Sequence, residues 1–154
     1  MEPLAFAVLA GLTPPDVERV FYDECVEAIP FDEPTDLVAL SATTYTARRA
    51  YQIALRYRRR GTAVVLGGYQ PTLQPAEALQ FADAIVVGEA ERAWPQVLHD
   101  FRAGRLRRRY AEPVPTLAGL CHDRSVFAGK PYVPIRLVQF GRGCRFTCDF
   151  PPAF

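Results

Sequence analysis

Cys144 and Cys148 stand four apart near the end of the chain, in the run GCRFTCDFPPAF. A C-x3-C-x2-C spacing directs three thiolates at one iron–sulfur cluster and leaves one iron open. Pro151 occupies the third position here, and its side chain has no donor atom. Two thiolates alone complete neither a tetrahedral zinc site nor a 4Fe–4S cluster. Cys121 and His122 lie upstream, and nothing in their spacing requires them to join. Cys25, flanked by acids, reads as an ordinary loop residue.

A second group of chemistry-bearing positions follows three short apolar runs. Ser41 ends DLVALS, Gly67 and Gly68 end AVVLGG, and Gly88 and Glu89 follow AIVV. Glycine at a strand end lets backbone approach a bulky ligand, because no Cβ intervenes. A serine hydroxyl at the same edge donates or accepts a hydrogen bond. The same glycines serve equally well as simple tight turns. No G-x-G-x-x-G and no phosphate-binding glycine loop with its lysine is present, so a dinucleotide or nucleoside triphosphate site has no support.

The elements that must position these residues follow from periodicity. LAFAVLAGL (Leu4–Leu12) reads as a helix stopped by Thr-Pro-Pro. VERVFY (Val17–Tyr22) alternates and reads as a strand, as does DLVALS. Ala50, Ile53, Ala54 and Tyr57 share one helical face, with Thr44 or Thr46 as the cap. Ala63–Gly68 and Ala84–Val87 read as buried strands. Pro75–Phe81 reads as a short helix, and Ala90–Ala103 as a helix with Trp94, Val97, Leu98 and Phe101 on one side. RLRRRY reads as a solvated charged stretch before a Pro-rich linker, and Tyr132–Phe140 as one more strand. Short apolar strands alternating with helices predict an α/β fold: a Rossmann-like, flavodoxin-like, mostly parallel sheet with helices on both faces, wound by right-handed crossovers. Ligands bind such sheets beyond the carboxyl ends of the strands, which selects the loops Ser41–Tyr45, Gly67–Thr72 and Gly88–Glu91.

The 154 residues carry a net charge of +1, which gives no electrostatic case for nucleic acid or an anionic membrane. No run approaches the ~18 apolar residues of a membrane span. Glu2 stands where a signal peptide would carry basic residues, so a cytoplasmic, reducing location is expected.

As a set, LSATTYTARRAY, VVLGGYQPTLQPAEAL, VVGEAERAWPQVLHDF and LVQFGRGCRFTCDF, in that order, resemble the N-terminal part of the cobalamin-binding radical SAM proteins. The likeness runs over almost the whole chain. It implies a cobalamin domain over residues 1–112, and a linker with the first strand of a truncated radical SAM barrel over residues 113–154. By this likeness Ser41 and Thr43 lie near the cobalamin nucleotide tail. Gly67, Gly68, Tyr69, Pro71 and Thr72 form the second cobalamin loop, and Gly88 and Glu89 the third. Cys144 and Cys148 match the first two ligands of a 4Fe–4S cluster that, in the intact family, binds S-adenosylmethionine and cleaves it to a radical. Cobalamin often serves there as a methyl carrier.

Three departures qualify these expectations. The third cysteine position is Pro151 and the rest of the barrel is absent, so the chain alone is expected to lack radical chemistry; a frameshift or truncated gene would explain the ending. The family's first apolar strand is missing, so either Val17–Tyr22 pairs beside Asp36–Ser41 or the sheet has a gap. There is no D-x-H-x-x-G, so no histidine of that motif would bind cobalt. Rival readings are a scaffold that binds neither cofactor, a partner chain supplying the barrel, a thiol or zinc tail, and a flavodoxin-like receiver or flavin domain.

Overall fold

A computed structural model describes residues 1–113 and 118–142. Helix α1 (Leu4–Leu12) is followed by a long irregular segment. Then come β1 (Leu37–Ser41), α2 (Ala47–Arg58), β2 (Ala63–Gly67), α3 (Tyr69–Leu73) and α4 (Pro75–Ala78). β3 (Ala84–Val87), α5 (Ala93–Arg102) and β4 (Arg109–Ala111) complete the regular structure, apart from one 3-10 turn at Ser125–Phe127.

The four strands form one parallel sheet in the order β1-β2-β3-β4. Register runs Leu37 to Ala63 through Ser41 to Gly67, then Val65 to Ala84 and Ile85 to Arg109. Alternation along each strand splits the core into two layers. Val64, Leu66 and Ile85 pack with α2 and with Ala78 and Ala82 on one face. Val65, Ala84, Val86 and Tyr110 pack with Trp94, Val97 and Leu98 of α5, and with Leu9 and Leu12 of α1, on the other. The fold is thus α/β and Rossmann-like, with helices on both faces.

The winding differs from the expectation in one respect. Every strand is added in the same direction, yet the connections through α2 and through α3–α4 cross one face while α5 crosses the other. Parallel connections that advance the same way over opposite faces have opposite hands. One set therefore departs from the usual right-handed rule.

Four readings of the sequence are corrected. Val17–Tyr22 is not a strand. Phe21 instead packs tilted against Phe6, ring centres 4.7 Å apart, and edge-on against Phe127 at 5.1 Å, and Arg19 pairs with Asp123 at 2.7 Å. Those side-chain anchors take the place of a ladder, and β1 keeps an open outer edge among the described residues. Tyr132–Phe140 is also irregular. Its apolar side chains Val133, Ile135, Val138 and Phe140 are exposed, and a strand without a neighbour has no ladder to form. The helix expected over Pro75–Phe81 stops at Ala78, where a turn closes by Phe81 N–H donating to Ala78 O at 3.0 Å. Finally, RLRRRY is not wholly irregular: its arginines are exposed as expected, but Arg109–Ala111 is the edge strand β4, with Tyr110 fully buried.

Residues 118–142 lie back on α1 and the irregular segment after it. Asp123 N–H donates to Ala7 O at 2.9 Å, and Arg124 pairs with Glu2 at 2.7 Å. Tyr132 OH donates to Asp23 at 2.5 Å, and Lys130 pairs with Glu27. Gly11 makes this possible: a Cβ there would stand 2.3 Å from the Cys121 carbonyl oxygen.

Two interactions tie the back layer together. The indole N–H of Trp94 in α5 donates to Thr13 Oγ1 at 2.9 Å, and that hydroxyl donates to Leu9 O at 2.7 Å. Asp100 accepts from Arg107 Nε at 2.9 Å and Tyr110 OH at 3.2 Å. Burial alone would raise the Asp100 pKa; the bonds from Tyr110 and Arg107 outweigh it and hold the carboxyl below its ordinary value.

Thr13→Val leaves the buried indole N–H without an acceptor and is expected to destabilise the fold by ~1–3 kcal/mol in urea unfolding. Asp100 has a depressed folded pKa, so its stabilising effect is full above the unfolded value and is lost as pH falls through the folded one. Wild-type stability is therefore expected to decline below about pH 4 with a steeper slope than Asp100→Asn, measured by urea midpoints across that range.

Candidate functional site

The carboxyl ends of β1, β2 and β3 carry the three loops selected from the sequence. Hydrogen bonds stitch them to one another. Ala42 N–H, just past β1, donates to Gly67 O at 2.9 Å, and Gln70 N–H returns a bond to Ala42 O at 2.9 Å. Thr72 then bridges onward: its hydroxyl donates to Gly68 O at 2.8 Å and accepts from Gly88 N–H at 2.9 Å. Ser41, Ala42, Gly67, Gly68, Thr72 and Gly88 thus belong to one connected edge.

The two adjacent glycines are not equivalent. Gly68 has φ +93°, and a Cβ there would stand 2.8 Å from Ala42 O and 2.9 Å from Ser41 Oγ. Its missing side chain is what lets the first two loops touch. A Cβ on Gly67 would meet only Val86 Cβ at 3.8 Å, an ordinary contact. Gly88 also lies in the left-handed region, φ +79°, but faces open space. Glycine at the second loop thus serves the joint between loops, a role the sequence did not distinguish from ligand approach.

The remaining positions divide by exposure. Pro71 is fully buried under the edge and fixes the α3 turn. Tyr69 is exposed, as are Ser41, Thr43 and Tyr45 of the first loop. Thr43 is held by Thr46, whose hydroxyl accepts from Thr43 N–H at 3.0 Å. Thr46 therefore organises its own loop and makes no side-chain cap to α2. Hydroxyls and phenols thus face solvent above a floor of glycine and proline backbone.

Topology distinguishes one junction along this edge. From β2 the chain leaves over one face through α3 and α4, and from β3 it leaves over the other through α5. Diverging connections mark the junction between the second and third loops as the place where ligands bind sheets of this kind. The Thr72 to Gly88 bond spans this junction. The edge offers exposed hydroxyls and glycine backbone, with nothing within 4 Å of where a Gly88 Cβ would stand.

Glu89 and Glu91 of the third loop receive an arginine that sequence reasoning did not single out. Arg142 Nη2 donates to Glu91 Oε1, and Arg142 Nη1 lies 3.7 Å from Glu89 Oε2. Glu91 is buried, and so is most of the Arg142 side chain. The signal for this pair was an arginine and a glutamate far apart in sequence, which periodicity does not connect.

Cys144, Cys148 and Pro151 lie outside the described residues. Among the described residues no group of three or more His, Cys, Asp or Glu could hold a metal ion. Cys25 and Cys121 are free and exposed. No helix among the described residues is long and apolar enough to cross a membrane.

The chain belongs to the B12-binding domain family: that family's pattern matches residues 7–98, more than half of its length. The bacteriochlorophyllide d C-8(2)-methyltransferase of Chlorobaculum tepidum is 37% identical over 163 residues, covering 96% of this chain and 35% of that protein. The bacteriochlorophyllide d C-12(1)-methyltransferase of the same organism is 28% identical, covering 96% of this chain and 34% of its own. The chain thus spans about a third of the length of these relatives. Among solved structures, the N-terminal domain of a hypothetical protein from Thermotoga maritima matches 60% of this chain and 78% of its own, with a TM-score of 0.45 and 17% identity.

Gly68→Ala is expected to destabilise the protein by ~1–3 kcal/mol, because it adds left-handed strain and a backbone clash. Gly67→Ala should change stability by less than about 1 kcal/mol. Thermal melts of the two variants side by side check the contrast.

Proposed function

We propose that this chain is the cobalamin-binding module of a B12-dependent methyltransferase-type enzyme. The observation that carries the reading is the stitched carboxyl edge, whose three loops all fall inside the residues matched by the B12-binding family. Ser41 and Thr43 present hydroxyls to the nucleotide tail of the cofactor. Gly67, Gly68, Tyr69, Pro71 and Thr72 provide the second wall, with Gly68 and Thr72 holding the loops in register and Tyr69 exposed for contact. Gly88 and Glu89 provide the third. When bound, cobalamin supplies methyl-group transfer. None of the three loops contains a histidine, so no cobalt ligand of that kind comes from them.

The two named relatives are methyltransferases acting on a bacteriochlorophyllide, which supports methyl transfer as the reaction class. The finer reading takes Cys144 and Cys148 as two thiolates of a radical SAM cluster segment. Pro151 in the third position gives this chain two of three sulfur ligands, so cluster chemistry and S-adenosylmethionine cleavage call for further ligands from elsewhere. The chain's own contribution is to bind and orient the corrinoid.

Titration with hydroxocobalamin, followed by visible absorbance, is expected to show saturable one-to-one binding. Ser41→Leu and Thr43→Trp should weaken it at least tenfold, while Arg59→Ala beyond the end of α2 should leave it unchanged. A folded chain, checked by circular dichroism, that takes up no cobalamin would overturn the proposal.

A further inference from the structure

After Tyr132 the chain runs along the surface, and residues 133–141 are all exposed. It turns back at Arg142, whose side chain is only 10% exposed. That guanidinium is inserted into the third loop, against Glu91, which is 8% exposed, and beside Glu89. Only Gly143 separates Arg142 from Cys144 in sequence. Neither carboxylate has another cationic partner among the described residues. A nearly buried Arg–Glu pair is strongly constrained, because losing either partner strands the other's charge. Among the described residues, Arg142 Nη1 and Glu91 Oε2 have no hydrogen-bond partner, and besides Glu91 the guanidinium donates only to Gln139 Oε1, at 3.2 and 3.4 Å, so the pair carries most of the compensation for its burial.

We infer that Arg142, two positions before Cys144 in the sequence, is a positioning residue: its ion pair with Glu91, supported by Glu89, fixes the exposed stretch 133–141 to the third loop of the corrinoid edge. Tyr132, bonded to Asp23, and Arg124 Nη2, which donates to Leu137 O at 2.7 Å, fix the other end and the middle of the exposed stretch. One guanidinium thereby joins the sheet edge to the end of the exposed stretch. The meaning assigned to the cysteines rests on the functional reading above, whereas the tie itself does not.

Distance measurement between spin labels tests it on the full-length chain. The four native cysteines are replaced by serine, and nitroxides are attached at Tyr45→Cys and Phe140→Cys, two of the most exposed side chains. The parent is expected to give one narrow distance distribution. Arg142→Gln and Glu91→Gln should each at least double its width, and the two together should broaden it no further, since both cut the same tie. Arg136→Gln, an exposed arginine of the same stretch, should leave it unchanged. A distribution already broad in the parent, or one that Arg142→Gln and Glu91→Gln leave narrow with the circular dichroism of a folded chain, overturns the inference. Loss of cobalamin uptake with the narrow distance retained would instead sink only the functional reading.

Discussion

A hydrogen atom in place of a side chain at Gly68 is the constraint on which the carboxyl edge depends. Three strands end side by side, and each must hand its last backbone groups to a partner. Ala42 finds two partners in the second loop, at Gly67 and Gln70, only because nothing projects from Gly68 into the gap. With those loops joined, Thr72 is placed to reach Gly88, and the third loop is recruited through a single hydroxyl. Backbone polar groups that would otherwise call for solvent are satisfied within the edge itself. Rigidity there is what a binding surface on loops needs, since ordering them at the moment of binding would cost affinity.

The central elements were legible because they are made by burial. AVVLGG and AIVV are continuously apolar and become the two central strands, DLVALS becomes the half-buried edge strand β1, and the apolar faces of α2 and α5 appear where their periodicity places them. What composition could not give was pairing. Val17–Tyr22 and Tyr132–Phe140 have the residues of strands and no neighbouring strand, while Arg109–Ala111 has the residues of a charged loop and a neighbour in β3. One buried tyrosine, Tyr110, outweighs the arginines around it because they find partners at Asp100, Gln96 and the Leu79 carbonyl. The hand of the last connection was equally hidden, since it depends on which face α5 covers.

At the site, the sequence placed three loops at one edge but not the division of labour within them. Gly67 and Gly68 are indistinguishable as letters, and only the left-handed φ and the approach of Ala42 separate them. Thr72 was a candidate for contact with a ligand and is also the stitch between loops. Arg142 and Glu91 are fifty-one positions apart and meet only through the path of the folded-back segment.

That folded-back segment bears on how the chain reaches its native state. Helix α1 is synthesised before the sheet, yet Ala7 is bonded to Asp123 and Gly11 is shaped to receive the carbonyl of Cys121. Glycine within a helix costs roughly 1 kcal/mol of propensity relative to alanine, so α1 is weakened in isolation for the sake of a contact that arrives late. Closing a loop of more than a hundred residues carries a large entropic cost before the contact stabilises anything. The sheet and its α2 layer can condense as they emerge, whereas the helix that precedes them in the chain gains these contacts only after residues 121–123 have followed.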